Sequence, residues 1–249
     1  MDCETEINSL FDGELVCCQH REGYRFSIDA VLLAHFISVK KNDRVLDLGT
    51  GSGIISLILL YRYKDIISEC SGVEIQQSLF DLATNNIEIN HFEDKNKIFH
   101  CDIKSLKNYC LPEVYDKIIC NPPFYPQHTG RISTNIEASV ARHQTTAGVG
   151  DFLEGAAYAV KNHGSAYFIY PAELLADFLT RSSQFKLEAK QLRFIYSYPG
   201  AEKDAQLVLI KCTKNGGKGL SVSDPLYIYT KKNGSHPAEV ESYYKKNRS

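Results

Sequence analysis

The stretch RVLDLGTGSGIISLI, residues 44–58, decides the fold of this chain. Its apolar residues up to Leu48 cluster as in a short buried strand, and three glycines follow at alternate positions. Apolar residues then resume at helical spacing from Ile54. The stretch therefore predicts a buried strand, a glycine turn and a helix.

The glycine turn has the composition of a ligand site. Gly49, Gly51 and Gly53 let the backbone bend tightly and approach a ligand where a Cβ would collide. Their spacing differs from the G-x-G-x-x-G pattern that holds a dinucleotide pyrophosphate on a helix N-terminus. Asp47, two residues earlier, would repel a pyrophosphate but attract a ligand that carries an ammonium and a sulfonium. A glycine-rich turn that binds nothing is the alternative.

Acidic residues also follow two later predicted strands. Glu74 ends the apolar run SGVEI, at the place where an acidic residue takes ribose hydroxyls in folds of this type. Asp102 follows FHC and could accept an adenine amino group, although a plain turn residue is the other interpretation. Ligands of parallel sheets bind at the carboxyl ends of the strands, so we expect both residues to lie near Asp47.

Strands and helices alternate along the middle of the chain. The predicted strands are 44–48, 69–74, 97–101, 115–120 and 164–171, and the predicted helices are 53–63, 77–90, 151–161 and 172–182. Such alternation predicts an α/β fold with a mostly parallel sheet, helices on both faces and right-handed crossovers. Two further strand-like segments, 189–198 and 204–212, predict an antiparallel hairpin that closes the sheet.

Residues 1–40 are expected to form an N-terminal extension with a capping helix, ahead of a core domain at 41–249. They begin with a polar lead and a short strand-like run, ELVCCQ. Ser27 is a suitable N-cap for the helix, whose first turn should face the predicted ligand pocket. A capped amphipathic helix without ligand contact is the alternative.

The run YDKIICNPPFYP, residues 115–126, contains the second informative motif. Its strand stops at Asn121 because the two prolines that follow cannot donate to a ladder. The turn would hold the amide oxygen of Asn121 beside the free carbonyl of Pro122, with the Phe124 ring directly after Pro123. Two acceptors can take both hydrogens of an amine while the ring stacks on the planar group that bears it. An ordinary turn is the alternative.

This arrangement suits methylation of an amine that is conjugated to a ring. The lone pair of such an amine is delocalised, so acceptors that favour a tetrahedral nitrogen stabilise the charge that develops as it attacks a sulfonium methyl. No strong base is required before transfer, since the quaternised nitrogen loses its proton easily, and positioning supplies much of the effect. D-x-G-x-G-x-G followed by N-P-P-F resembles motifs I and IV of class I amino methyltransferases, which act on adenine N6, guanine N2 or glutamine nitrogen.

At whole-chain level the sequence resembles the bacterial tRNA1(Val) (adenine-N6)-methyltransferase family. The resemblance covers about residues 20–245, from YRFSIDAVLLA through DLGTGSGI, GVEIQ, CDI and CNPPF to ARHQ and PLYIY. It implies a Rossmann-like class I fold with a seven-stranded, mostly parallel sheet, S-adenosyl-L-methionine as cofactor, and methyl transfer to N6 of an adenine in the single-stranded anticodon loop of tRNA. The family's V-H-P-like late turn is replaced here by Tyr196-Ser197-Tyr198-Pro199.

The resemblance also implies which residues form the site. The catalytic turn would comprise Asn121, Pro122, Pro123 and Phe124. The cofactor would be held by the start of the first helix, the glycine turn, the ends of the next two strands and the catalytic turn: Phe26, Ser27, Asp29, Asp47, Gly49, Thr50, Gly51, Gly53, Glu74, Ile75, Asp102, Ile103 and Asn121. No metal is expected.

Three alternative functions remain open from the sequence. A glutamine methyltransferase shares both motifs, but it carries a helical N-terminal domain for which 40 residues leave no room. A guanine-N2 rRNA methyltransferase is harder to exclude. A cofactor-binding RNA module without activity is the alternative from a different class, and the intact Asn121 and Asp47 argue against it.

Length and composition limit the class of protein to which the chain can belong. With 249 residues, of which 43% are apolar, the chain suits one large α/β domain. No run reaches the ~18 apolar residues of a membrane span, and the acidic start MDCETEINSLF is unlike a signal peptide, so we expect a cytoplasmic protein. The eight cysteines include no C-x-x-C pair. We interpret them as reduced core thiols, with Cys17 and Cys18 on opposite faces of a strand, and metal or disulfide roles as the minority alternative.

Charge is unevenly distributed along a chain whose net charge is −2. Lys and Arg outnumber Asp and Glu by seven over residues 181–249, which predicts a phosphate-binding face that includes Lys211, Lys214 and Lys218. A solvated surface with a basic tail is the alternative. We expect tRNA as the partner of a monomer or weak homodimer that contacts no membrane.

The polar segment 125–150 lacks any periodicity and follows the catalytic turn. A loop of this length inside a compact domain is usually functional or mobile, so we predict a substrate-gated lid. Arg131, Arg142 and His143 within it could meet phosphate or simply solvate the loop.

Overall fold

A computed structural model describes residues 5–21, 27–123, 147–201 and 204–246. Within these ranges the strands are β1 (Thr5–Leu10), β2 (Leu15–His20), β3 (Arg44–Leu48), β4 (Glu69–Glu74), β5 (Ile98–His100), β6 (Tyr115–Cys120), β7 (Val160–Pro171), β8 (Leu187–Tyr196), β9 (Leu207–Lys214), β10 (Ser221–Val222) and β11 (Leu226–Tyr227). The α-helices are α1 (Ile28–Phe36), α2 (Ile54–Tyr63), α3 (Gln77–Ile89), α4 (Val149–Ala159), α5 (Leu175–Gln184) and α6 (Ala238–Ser242). Short 3-10 helices span Phe11–Gly13, Ile103–Asn108 and Ala172–Leu174.

The central sheet confirms the predicted α/β fold. Its strand order is β5-β4-β3-β6-β7-β9-β8-β10, and β11 also pairs with β8. Only β9 runs antiparallel to its neighbours, between β7 and β8, so the closing hairpin is confirmed as well. The seven strands of three or more residues match the expected number, and β10 and β11, each of two residues, extend the sheet beyond it.

Alternation along the strands divides the core into two layers. Along β7, Tyr167 and Ile169 face one side, while Phe168 and Tyr170 face the other. The first side packs against α1 and α2, and the second against α4 and α5. Because both faces of the sheet are covered, its inner strands are buried almost throughout, as parallel strands with crossover helices require.

The observed elements differ from the predicted ones mainly near the ends. Residues predicted as a polar lead form β1, which pairs with β2 in an antiparallel hairpin outside the central sheet. β7 begins at Val160 rather than at residue 164, because a register shift against β6 accommodates a turn at His163 with φ +58°. The helix predicted at 172–182 is a 3-10 turn followed by α5.

The C-terminal segment packs against the N-terminal hairpin. The N–H of Phe11 donates to Tyr244 O at 3.0 Å, and Lys246 is paired with Glu14, 232 positions earlier. The ring of Tyr243 stacks on His35 of α1 with centroids 4.3 Å apart. The two ends of the described chain therefore form one packed unit beside α1.

The hairpin also confirms the expected arrangement of two cysteines. Cys17 packs into the core beside α1 and α2, whereas Cys18 contacts Leu79 and Leu82 of α3. The seven cysteines that the structure describes are all free thiols. No helix in the described ranges is long and apolar enough to cross a membrane.

Candidate active site

Strand register brings the predicted site residues together at the carboxyl ends of β3, β4 and β6. Leu48 pairs with Val73 on one side and with Cys120 on the other. Gly49, Glu74 and Asn121, each one residue further along, therefore lie in one row. With strands about 4.8 Å apart, Glu74 and Asn121 are separated by about 10 Å across the glycine turn.

The glycine turn requires glycine at all three positions. Gly49, Gly51 and Gly53 have φ values of +73°, +59° and +83°, in the left-handed region that other residues rarely adopt. The N–H groups of Gly49 and Thr50 both donate to Val73 O at 2.9 Å, which ties the turn to β4. A Cβ at Gly49 would lie 3.1 Å from the Phe152 ring, so α4 packs directly over the turn.

Asp47 is fully buried beneath this turn. Its Oδ2 accepts hydrogen bonds from the hydroxyls of Thr50, at 2.7 Å, and Ser56, at 3.4 Å. Its Oδ1 has no partner among the described residues. Burial, with a further contribution from the charge of Glu74, raises the pKa of Asp47 to about 7. A cationic donor that reached Oδ1 would satisfy the oxygen and lower this pKa.

Glu74 connects the glycine turn to the residues after β4. Its Oε2 accepts the N–H of Gly51 at 2.9 Å, and its Oε1 accepts the N–H groups of Ile75 and Gln76 at 2.9 and 2.8 Å. Burial raises the pKa of this carboxyl, and the three backbone donors oppose the shift. A carboxylate has about four lone-pair sites, so Oε2 retains one for a ligand hydroxyl.

The end of β5 adds two more predicted residues. Asp102 is half-buried at the N-cap of a 3-10 helix, where its Oδ1 accepts the N–H of Lys104 at 2.9 Å. Ile103 is buried beneath α4, and a Cβ at Gly155 would lie 2.9 Å from its side chain. The close approach of α4 therefore covers the ends of both β3 and β5.

The turn predicted to be catalytic begins where β6 ends. Cys120 is fully buried, Asn121 is half-buried, Pro122 is buried and Pro123 is exposed. The chain thus leaves the core within three residues, with the Asn121 amide at the boundary. The predicted residues Phe26, Phe124, Arg131, Arg142 and His143 lie outside the described ranges.

The first helix begins as predicted, but with a different cap. Ser27 occupies the N-cap position and its carbonyl accepts the N–H of Ala30 at 3.2 Å, while its side chain makes no capping hydrogen bond. The Ser27 hydroxyl instead donates a hydrogen bond to the Asp29 carboxylate. Burial raises the pKa of Asp29, and this hydrogen bond opposes part of the shift. Asp29 is half-buried in the first turn of α1.

Two asparagines of α3, which the sequence analysis did not single out, hold β2 against the glycine turn. Asn86 is fully buried, accepts the N–H of Cys18 at 2.7 Å and donates to the carbonyls of Cys18 and Ser52, both at 2.9 Å. Asn90 pairs in the same way with the N–H and carbonyl of Val16, at 3.0 and 2.7 Å. Side chains four apart on a helix thus match residues two apart on a strand. Asparagine is a weak helix former, so two asparagines four residues apart in a predicted helix were the sequence signal for this contact.

We expect Asn86→Ala to lower the free energy of unfolding by about 2 to 4 kcal/mol, because it leaves three buried main-chain groups without a partner. Asn90→Ala is the matched control: it removes the equivalent contact to β2 without touching the glycine turn. Urea denaturation would measure both variants. Cofactor affinity, measured by calorimetry, should fall only for Asn86→Ala, and equal losses in the two variants would contradict the link to the turn.

Lys214 of the predicted basic face does not lie at this end of the strands. Lys214 is at the end of antiparallel β9, paired with Leu187 at the start of β8, and so lies at the opposite edge. Its Nζ is 2.9 Å from a Glu113 carboxylate oxygen and donates to Ala157 O at 2.6 Å. Lys214 is therefore paired in the folded protein, which a count of charges along the sequence does not show, and the basic face stays a prediction.

A comparison with known families agrees with this geometry. The model of the methyltransferase small domain matches residues 25–174, more than half of the chain, and spans α1 to the turn after β7. The chain belongs to the methyltransferase small domain family. S-adenosyl-L-methionine is therefore its cofactor, and the protein is an enzyme of the class I methyltransferase type. Among the described residues of this methyltransferase, no group of His, Cys, Asp and Glu could hold a metal ion.

Individual relatives agree with the family assignment. The methyltransferase is 28% identical over 180 residues to a tRNA1(Val) (adenine(37)-N6)-methyltransferase of Trichodesmium erythraeum, covering 70% of this chain and 74% of that protein. A protein of the same name from Flavobacterium psychrophilum is 25% identical over 217 residues, covering 86% and 90%.

Solved structures support the fold. A predicted O-methyltransferase from Agrobacterium tumefaciens, 18% identical, superimposes with a TM-score of 0.69 over 87% of this chain and 95% of that one. The YcgJ protein from Bacillus subtilis, 14% identical, gives a TM-score of 0.53 over 76% and 99%. The Rossmann-like class I methyltransferase fold expected from the sequence is confirmed.

Proposed function

We propose that this enzyme methylates the exocyclic N6 amine of an adenine in the anticodon loop of a tRNA, at a position of the tRNA1(Val) adenine-37 type. The observation that carries the proposal is the register of the sheet, which sets the Asn121-Pro122 turn directly beside the glycine turn. The relatives named for this activity support the same substrate. Their identity to this chain is 25 to 28%, and the substrate therefore stands as a proposal.

The chain's own residues fit the cofactor. Asp47, with its unpartnered buried oxygen, would accept the methionine ammonium, and the remaining lone pair of Glu74 would accept a ribose hydroxyl. The second carboxylate oxygen of Asp102 would accept the adenine amino group, beside buried Ile103. Phe26, Ser27 and Asp29 are assigned to the methionine end. S-adenosyl-L-methionine supplies the methyl group as a sulfonium substituent.

The catalytic turn would act on the target amine. The Asn121 amide oxygen and the Pro122 carbonyl would accept the two amine hydrogens and so favour the tetrahedral nitrogen over the planar, conjugated one. Phe124 is assigned to stack on the adenine ring, which replaces part of the stacking that the base loses when it leaves the loop. After transfer, the nitrogen releases its proton to solvent without a dedicated base.

The cellular compartment of the enzyme is suggested by its cysteines. Free, mostly buried cysteines fit a reducing compartment, so we propose that the enzyme acts in the cytoplasm, as a monomer or weak homodimer. We further assign residues 1–40 to an extension with a capping helix and residues 41–249 to the catalytic domain.

Transfer of labelled methyl to unmodified tRNA, followed by nucleoside mass spectrometry, tests the proposed function. We expect N6-methyladenosine, and the same nucleoside should disappear from tRNA of cells that lack the gene. N2-methylguanosine would leave the chemistry of the turn intact but contradict the substrate. A methylated protein glutamine would contradict the nucleic-acid substrate altogether, and absence of any transfer would favour a binding module.

A further inference from the structure

After β9 the chain runs alongside β8, on the side of β8 that faces away from β9. β11 pairs in parallel with the last two residues of β8. The pairing continues past both strands, since the N–H of Ile228 donates to Tyr196 O at 3.0 Å. The N–H of Tyr229 likewise donates to Ser197 O at 2.8 Å. β8 runs parallel to β6, so this segment lies at the same carboxyl end of the strands as Asn121, four strands or about 19 Å away.

Three aromatic rings form a continuous series in this segment. Tyr229 stacks on His236, with centroids 5.1 Å apart and planes 14° apart, and His236 stacks on Tyr244 at 6.3 Å and 16°. His236 Nδ1 donates to Ile228 O at 2.7 Å, which fixes the central ring. Tyr229, the outer ring, is 41% exposed although His236 covers one of its faces. The series therefore presents a preoriented aromatic face to solvent.

The inner end of the series lies near the cofactor side of the molecule. Tyr244 is half-buried, and burial, the Tyr229 hydroxyl and the Asp29 carboxylate together raise its pKa. Asp29 is in the first turn of α1, which is assigned to the methionine end of the cofactor. The rings thus run from the start of α1 outward to solvent. They lie at the carboxyl end of the strands, where the target base must enter.

A basic turn lies next to the outer ring. Residues 230–235 are closed by the N–H of Thr230, which donates to Ser235 O at 2.9 Å, and by the N–H of Gly234, which donates to Lys231 O at 2.9 Å. Lys231 and Lys232 are exposed at its tip. Neither lysine forms an ion pair with a carboxylate in the part of the chain that the structure describes, so both charges are available to a polyanion.

We propose that the ring series Tyr229–His236–Tyr244 and the lysine pair Lys231–Lys232 bind a single-stranded segment of the substrate RNA a few nucleotides away from the target nucleotide. An unpaired base would stack on the free face of Tyr229, and the lysines would contact the adjoining phosphates. Aromatic faces interleaved with free cations are the features that bind single-stranded nucleic acid without demanding a sequence. The proposal rests on the proposed function, because it assumes an RNA substrate.

Two substitutions separate stacking from charge. Tyr229→Leu removes the aromatic face but keeps an apolar side chain, and we expect about a tenfold loss of affinity for unmodified tRNA. Tyr229→Phe, the matched control, should bind as wild type does. Lys231→Gln combined with Lys232→Gln should flatten the slope of log K against log salt by about 1.4. Lys40 and Lys41 are an exposed pair just before β3, at the amino end of the parallel strands. Replacing both with glutamine is the control and should leave the slope unchanged.

The readouts distinguish failure of this proposal from failure of the proposed function. Wild type must first methylate tRNA, and if it does not, the RNA substrate itself is wrong. If wild type is active and Tyr229→Leu binds tRNA with unchanged affinity, or the two lysine pairs behave alike, the surface is not an RNA site. A shift in self-association by sedimentation without loss of RNA affinity would assign the rings to a protein contact and overturn the proposal. S-adenosylmethionine affinity should stay at the wild-type value in every variant.

Discussion

Asn121→Ala is expected to lower kcat for tRNA methylation at least about 100-fold, while S-adenosylmethionine binding remains near that of wild type. The loss is typical of removing one preorganised acceptor that acts in the transition state. Asn121 lies where β6 leaves the core, so its backbone is restrained by a buried strand on one side and by Pro122 on the other. The effect should appear mainly in kcat, because the contact strengthens as the nitrogen becomes tetrahedral.

Asn121→Asp serves as the control for this result, since it keeps an oxygen acceptor at the same place and should retain far more activity than the alanine variant. Single-turnover transfer of labelled methyl would measure kcat, and calorimetry would measure cofactor affinity. Full activity in Asn121→Ala would show that the proposed mechanism is wrong. A large loss of cofactor affinity would instead move Asn121 from the catalytic turn to the cofactor pocket.

Asp47→Asn is expected to have opposite effects on stability and on cofactor binding. In the folded protein without cofactor, burial raises the pKa of Asp47 to about 7, whereas the unfolded chain ionises near 4. Between these values the folded state binds the proton more tightly, so the wild-type free energy of unfolding falls as pH rises from 4 to 7 and stays low above. Asparagine does not ionise, so the variant should gain on wild type over the same window, by up to about 3 to 4 kcal/mol at pH 8.

Cofactor binding should reverse that advantage. The ammonium would pair with ionised Asp47, and loss of a hydrogen bond between charged groups lowers affinity by about 1.5 to 3 kcal/mol, or about 10- to 100-fold. Thermal denaturation at pH 5 and pH 8, with and without S-adenosylmethionine, would measure both effects. Thr50→Val removes the hydroxyl contact that lowers the pKa of Asp47 but keeps the carboxylate, so the variant should still show the pH dependence, with its upper end shifted to higher pH. An Asp47→Asn variant with wild-type affinity would remove Asp47 from the site.

The sequence predicted the elements whose signal is local. β3, β4 and β6 have the predicted bounds, because buried parallel strands are short apolar runs that end at a glycine, an acidic residue or a proline turn. The same runs place Asp47 and Glu74, which are among the last two residues of their strands, and Asn121, which follows its strand. Once the sheet is known to be parallel, the sequence therefore predicts which residues lie together at the carboxyl ends of β3, β4 and β6.

The remaining features depend on contacts between distant segments. β1 was missed because one face of the hairpin is in solvent, so TEINSL carries little apolar signal. The Asn86 contacts join α3 to β2, 68 positions earlier, and the spacing of Asn86 and Asn90 in the sequence does not show which backbone segment they bind. The position of Lys214 could not be predicted from the sequence, because it depends on the direction of β9 and so on how the hairpin folds back.

The packing of Lys246 and Tyr244 against the N-terminal hairpin has a consequence for synthesis on the ribosome. The hairpin emerges first, but a two-stranded ribbon alone is at best marginally stable in water. Its partner residues near position 246 follow about 230 residues later, roughly 10 to 50 s at the usual rates of elongation. The side of the hairpin that α3 does not cover therefore stays open until these residues are made, and the hairpin reaches its final packing only after the strands of the central sheet have been synthesised.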